Sequence, residues 1–182
     1  MARPTNKKFS RQKEKPEFEQ TILDLARVTR VTRGGKQLSF RICVVLGDKK
    51  GRVGFGVAKG KDVQIGVEKA VRKAKKNMIT VPIVNKTIPH SILHKFKASS
   101  VFLKPAPKGS GIIAGGPVRA LLELAGVPNV SAKIMGKTKN KISLAKAVFE
   151  ALQSFKIVEP EVKKDEPKIE LKESKDPKPE VR

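Results

Sequence analysis

From Ile22 the chain spaces apolar side chains through Leu25, Val28 and Val31, meets the pair Gly34 and Gly35, and resumes with a run rich in β-branched and aromatic residues from Leu38 to Leu46. Two strands joined at the glycines fit that order. Gly47 to Gly51 is a second turn signal, and Arg52 to Ala58 alternates Val53, Phe55 and Val57 against glycines, which is the period of a third strand. The period then lengthens to three and four at Val63, Val67, Ala70, Val71, Ala74 and Met78, with Asp62 ahead of them as N-cap. That predicts a helix lying across a three-stranded meander.

A second block follows Ile79 to Val84. Strand-like segments at Ser91 to Phe96 and Val101 to Leu103 lead past Pro105 and Pro107 into a glycine-rich run from Gly109 to Pro117. A helix carrying Val118, Leu121 and Leu122 inward should run to about Ala125 and stop at Gly126 and Pro128. Val130 to Met135 reads as another strand, and Leu144, Ala147, Val148, Ala151, Leu152 and Phe155 as the stripe of a last helix. The fold class is α+β, without internal repeat. The expected organisation is an extension over 1–17, domains over 18–84 and 85–156, and a charged tail over 157–182. Hydrophobic residues make up 38% of the chain, which favours modest cores over one large core. Phe40, Phe55 and Phe102 read as core residues.

Charge changes the picture most. The 182 residues hold 40 Lys and Arg against 17 Asp and Glu, a net charge of +23, and the tail from residue 159 is nearly neutral, so the excess sits in the body. A domain so charged repels itself when compact, and nucleic acid offers the closely spaced counter-charges that relieve it. No long apolar run or secretory leader points to a membrane. The first helix carries Lys69, Arg72, Lys73, Lys75 and Lys76 on its polar face, with Lys59 and Lys61 at its start. A solvated face is the bland reading. A phosphate-gripping edge like that of the double-stranded RNA-binding fold suits this composition better.

Other motifs fail in context. Gly109 to Ala114 has the glycine spacing of a dinucleotide turn, but Val130 to Lys141 holds no acid for the ribose. The amides opening the helix that follows could accept an RNA phosphate, or the glycines could simply allow close packing. Gly51 to Gly54 copies a KH loop but falls between strands. His90 and His94 have no further ligands, so no metal is expected. Cys43, the one cysteine, sits between Ile42 and Val44 and reads as a buried, unreactive thiol. No carboxylate pair or activated nucleophile emerges, and without Trp or Tyr an aromatic base-stacking platform is not expected to dominate.

Arg27 through Lys36, Val45 through Gly56, Lys75 through Met78, and the glycine run continuing through Val127 together resemble the bacterial small-subunit ribosomal protein number five family. The likeness spans about residues 18 to 156. It implies a double-stranded-RNA-binding-like domain (a β-meander plus helix), then a small α/β sandwich domain with a left-handed βαβ crossover. It also implies a cytoplasmic ribosomal constituent without enzymatic activity or cofactor. The implied partners are 16S ribosomal RNA, small-subunit proteins number four and eight, and messenger RNA where message enters the subunit. The implied RNA contacts are Arg27, Arg30, Arg33, Gly34, Gly35, Lys36, Arg52, Lys59, Lys61, Arg72, Lys73, Lys75 and Lys76. Val28, Thr29 and Arg30 match positions associated with spectinomycin resistance, in a loop expected to reach into RNA. Gly109, Gly111, Gly115, Gly116 and Arg119 match the contact with protein number four that bears on decoding fidelity. Gln64 and Lys97 depart from the family, which favours proline and glycine there. A free-standing double-stranded RNA-binding regulator is the rival reading, and a nucleotide-dependent enzyme a third.

Overall fold

The computed structural model describes residues 17–155, so the expectations for the extension and the charged tail lie outside the described residues. Strands β1 (Glu19–Thr32), β2 (Gly35–Gly47), β3 (Arg52–Gly60) and β4 (Met78–Thr80) form an antiparallel sheet in chain order, and helix α1 (Val63–Lys76) crosses one face. Ile42, Val44 and Leu46 of β2 pack there with Ala58, Ala70 and Ala74. The helix lies close because β3 is glycine-rich on that side: a Cβ on Gly56 would fall 2.2 Å from the Ala70 carbonyl oxygen. Asp62 caps α1 as expected, its carboxylate accepting from the Val63 N–H. Met78 does not extend the apolar stripe. Asn77 ends the helix by donating its N–H to the carbonyls of Lys73 and Ala74, and Met78 opens β4 opposite Gly54.

The second block is built from β5 (Ile92–Phe96), β6 (Ser99–Pro105), β7 (Ile112–Ile113), α2 (Gly116–Ala125), β8 (Val130–Ile134) and α3 (Lys141–Gln153). Its sheet runs β5-β6-β8-β7, antiparallel except for the β7–β8 pair, which α2 connects as a βαβ unit. The α+β class is the one expected. Phe155 lies two residues past α3 yet is buried, edge-on to the His90 ring with centroids 5.2 Å apart.

There are two cores, as expected, but they do not divide between the two blocks. The larger buried cluster combines Val45 and Val53 of the first sheet with Leu121, Leu122, Val148 and Leu152 of α2 and α3. Strand β2 is therefore covered on both faces, which is why Ile42 to Leu46 is continuously apolar instead of alternating. At the junction the β2–β3 turn sits on the C-terminal end of α2. The N–H groups of Lys49 and Gly51 donate to the carbonyls of Leu124 and Ala125 at 3.0 and 2.9 Å, satisfying helix-end acceptors that would otherwise lack partners. Asp48 shapes that turn, accepting from the N–H groups of Lys50 and Arg52 and from the Arg52 guanidinium at 2.6 Å. Burial opposes ionisation of Asp48, but these hydrogen bonds and the Arg52 charge outweigh it and hold the carboxyl below the usual carboxylate range.

Besides Lys49 (φ 57°) in the β2–β3 turn, two tight turns place non-glycine residues at positive φ. Asn85 and Lys86 (φ 50° and 63°) join the paired Val84 and Thr87 in the pattern of a I′ turn, and Lys97 (φ 53°) opens the two-residue link from β5 to β6. Lys97 stands where the family resemblance favours glycine, and its backbone adopts the conformation glycine would take without strain.

Candidate nucleic-acid interface

Strand β3 stays paired with β2 only as far as Gly60 opposite Phe40, so beyond Arg27 and Phe40 the β1–β2 pair continues alone. At about 3.3 Å per residue it projects roughly 20 Å to the turn at Arg33 and Gly34. The expected loop from Val28 to Lys36 is thus mostly strand, because its β-branched Val and Thr residues continue the ladder. Only Gly35 of the two glycines has a positive φ, 128°, and neither glycine has anything close to where a Cβ would stand.

Cross-strand partners share a face. Arg27 lies opposite Phe40, Thr29 opposite Leu38 and Val31 opposite Lys36, on the side of α1, since Phe40 packs into the α1 core. Val28, opposite Ser39, and Arg30, opposite Gln37, are on the reverse side. Val28, Thr29 and Arg30 therefore do not form one surface. All the basic side chains of the ribbon are exposed, and no acid occurs between Ala26 and Gly47. Val31 is 73% exposed and Leu38 48%, which leaves the ribbon with apolar surface as well as charge. Where β3 ends, Arg30, Gln37, Leu38, Ser39 and Lys61 line a groove.

Lys69, Arg72, Lys73, Lys75 and Lys76 are exposed along α1, and Lys59 and Lys61 are exposed just before it. They are not equivalent. The Arg72 guanidinium approaches Glu68 at 4.0 Å, a solvated i,i+4 pair of little energetic weight. Lys75 and Arg52 both lie over the ring of Phe18, at 5.7 and 5.3 Å from its centroid, and Arg52 also pairs with Asp48. These two cations are engaged within the chain. Phe18 carries no signal in the sequence, because nothing in its spacing ties it to residues so far along the chain.

The glycine run forms a second locus at the opposite end of α2 from the β2–β3 turn. Gly109 and Gly111 take positive φ of 92° and 69°. Their N–H groups are not free for phosphate: both donate to Oδ1 of Asn129, at 3.0 and 3.2 Å, while its Nδ2 donates to the Lys86 carbonyl. Asn129 is buried and organises the loop, a role no local motif announced. Gly115 is the N-cap of α2 and touches Ile134, since a Cβ there would come within 2.8 Å of Ile134 Cδ1. Gly116 is open, and Arg119 reaches back to donate to the Ile112 carbonyl at 3.2 Å.

Elsewhere the chemistry is quiet. Cys43 is buried, and burial first, then the Asp24 charge, push its thiol up to about 12 against a smaller opposing effect of Arg41. Among the described residues no group of acids, histidines and cysteine could hold a metal, and no helix is long and apolar enough to cross a membrane. Phe55 packs against the larger core as expected, but Phe102 lies half-buried on the outer face of the second sheet, outside the core clusters.

Family comparison decides the lineage. Residues 18–82 match the N-terminal domain of ribosomal protein S5 and residues 94–166 its C-terminal domain. The chain belongs to the ribosomal protein S5 family. The S5 family consists of structural proteins, not enzymes. The small ribosomal subunit protein uS5 of Mycoplasma mobile is 49% identical over 154 residues, 84% of this chain and 63% of that relative. Those of Thermotoga neapolitana and Thermotoga maritima are 48% and 46% identical over 139 residues, 76% of this chain and 78% of each. This chain thus spans less than two thirds of the Mycoplasma S5 relative and more than three quarters of the Thermotoga ones.

Proposed function

We propose that the chain is a structural constituent of the small ribosomal subunit in the cytoplasm, binding 16S ribosomal RNA through the projecting ribbon and the lysine face of α1. The observation that carries this reading is the ribbon: a two-stranded, basic, partly apolar projection that, among the described residues, pairs with no further strand beyond its base. An isolated hairpin is marginal in water, so its partner must supply the missing contacts. Ribosomal RNA, which relatives named as small-subunit proteins would meet, offers both phosphate and base surface.

Arg27, Arg30, Arg33 and Lys36, with Gly34 and Gly35 at the turn, would enter the RNA, while Lys59, Lys61, Arg72, Lys73 and Lys76 would meet phosphates beside α1. Arg52 and Lys75 would contribute less, being held over Phe18. The surface around Gly109, Gly111, Gly115, Gly116 and Arg119 would meet small-subunit protein number four and bear on decoding accuracy. Protein number eight and incoming message would be further neighbours.

Sedimentation of the tagged chain from lysate through sucrose gradients at moderate and high salt tests the reading. Stoichiometric co-migration with the small subunit at both salts is the expected result. Release into the light fractions would instead indicate a soluble RNA-binding regulator.

A further inference from the structure

The second sheet has two unlike faces. Val101, Leu103 and Val130 point inward to α2 and α3, whereas the alternate residues of the same strands face outward, and among the described residues no helix lies over them. Leu93 of β5, Phe102 of β6 and Lys133 of β8 stand opposite one another as a central row on that outer face. Lys95 and Lys104 flank the row two residues along their strands, so three lysines surround one ring. None of the four strands contains an acid. Open faces of antiparallel sheets are ordinarily polar, yet Leu93 is 65% exposed here, Met135 61% and Ile113 57%. Among the described residues, the cations that lie over this sheet's rings, Lys97 and Lys146, lie over Phe96, and none lies over the half-buried ring of Phe102.

We propose that this outer face binds single-stranded RNA, with a base stacked on Phe102 and Lys95, Lys104 and Lys133 neutralising the phosphates on either side. A ring at the centre of an open sheet, with apolar neighbours and only positive charge around it, suits an unpaired base attached to a polyanion. Duplex RNA does not fit, because its bases are stacked inside and cannot reach a ring held on a flat sheet. An acidic protein would satisfy the lysines but has no need of the half-buried ring between them or of the exposed Leu93 beside it. Composition points away from an aromatic platform, since the chain lacks Trp and Tyr, but one centrally placed Phe is enough for one base. This surface is separate from the ribbon and α1, and it stands whether or not their assignment does.

The chain has no tryptophan, so Phe102→Trp places a single fluorophore at the centre of the face. Titration of the full chain with a short single-stranded oligoadenylate should quench that fluorescence. The quench should persist when Arg30 and Arg33 of the ribbon are replaced by Gln. In anisotropy, Phe102→Leu, which keeps an apolar side chain on the strand, should weaken binding about tenfold with the salt slope unchanged. Lys133→Gln should lower that slope by about 0.7. Unaltered Trp emission while the RNA saturates the protein would overturn the proposal. So would an equal response to poly-glutamate, which would mark a face for acidic protein, or full affinity in the Phe102→Leu chain.

Discussion

Replacing Gly47 with alanine should loosen the two halves of the molecule from one another. The added Cβ would stand 2.1 Å from the Leu124 carbonyl oxygen and 2.5 Å from its carbon, both backbone atoms near the end of α2 that cannot rotate away. The helix must retreat, and the first hydrogen bonds to break are those from the Lys49 N–H to Leu124 and from the Gly51 N–H to Ala125. Overpacking of this kind costs about 1–3 kcal/mol. Each of two hydrogen bonds adds roughly 0.5–1.5 kcal/mol, giving a total of about 4 kcal/mol. That is a large part of the 5–15 kcal/mol by which domains are typically stable. Urea denaturation followed by far-ultraviolet circular dichroism measures it. Gly126→Ala strikes the same junction from the other side, since its Cβ would lie 2.1 Å from the Lys49 carbonyl oxygen and its φ is +78°. Once either substitution has opened the junction the other has less to destroy, so the double variant should cost less than the sum by about 1 kcal/mol or more. A Gly47→Ala chain within about 1 kcal/mol of the parent, or strictly additive costs, would refute the picture of a single shared junction.

Four further outcomes are expected. Lys97→Gly and Lys86→Gly each relieve a positive φ and should raise stability by about 0.5–1 kcal/mol in the same urea assay. The Asp48 carboxyl is held below its ordinary range in the folded state, so its stabilisation is present above the unfolded pKa near 3.9 and is lost as pH falls through and below that value. Asp48→Asn should flatten the acid limb of a stability-against-pH curve. Lys73→Gln and Lys76→Gln should each reduce the salt slope of ribosomal RNA binding by about one, while Lys75→Gln, whose ammonium lies over Phe18, should change it less. Asn129→Leu strands the Gly109 and Gly111 N–H groups and the Lys86 carbonyl, and should cost about 3 kcal/mol and speed amide exchange in the glycine run.

The order of strands and helices was legible because each period in the sequence belongs to a local element, and in the first sheet each strand pairs with its chain neighbour. What β2 packs against was not. The apolar run Ile42 to Leu46 implies burial on both faces, but the second cover comes from α2 and α3, far along the chain. Met78 continues the helical spacing and still falls outside α1, because spacing does not reveal that Asn77 turns its N–H back to close the helix. The apolar spacing through Val28 and Val31 already reads as strand, and only the family resemblance makes Val28 to Lys36 a loop; that this pair outruns its third strand is visible only in the pairing. At the candidate site, composition counts Arg52 and Lys75 like any other cations, whereas Phe18 beneath them sets them apart. Asn129 carries no signal, since its partners at Gly109 and Gly111 are brought to it by the βαβ turn and not by a motif.

Strand β1 is the edge of the first sheet and 14 residues long, the kind of strand that ordinarily invites pairing with another copy. Two features oppose that. A register shift between Ile22 and Asp24 interrupts the ladder near the base, and Arg27, Arg30 and Arg33 put repelling charge along the distal half. The base is anchored by Leu23 in the larger core and by Asp24, which meets Arg41 and Lys141 at 3.6 Å each. The anchoring stops where the arginines begin. The charges that keep free copies apart are therefore the same ones offered to a polyanion. Among the described residues the distal ribbon from Val28 to Lys36 is held by its own ladder alone, so it is the segment to which the proposed RNA partner would add most.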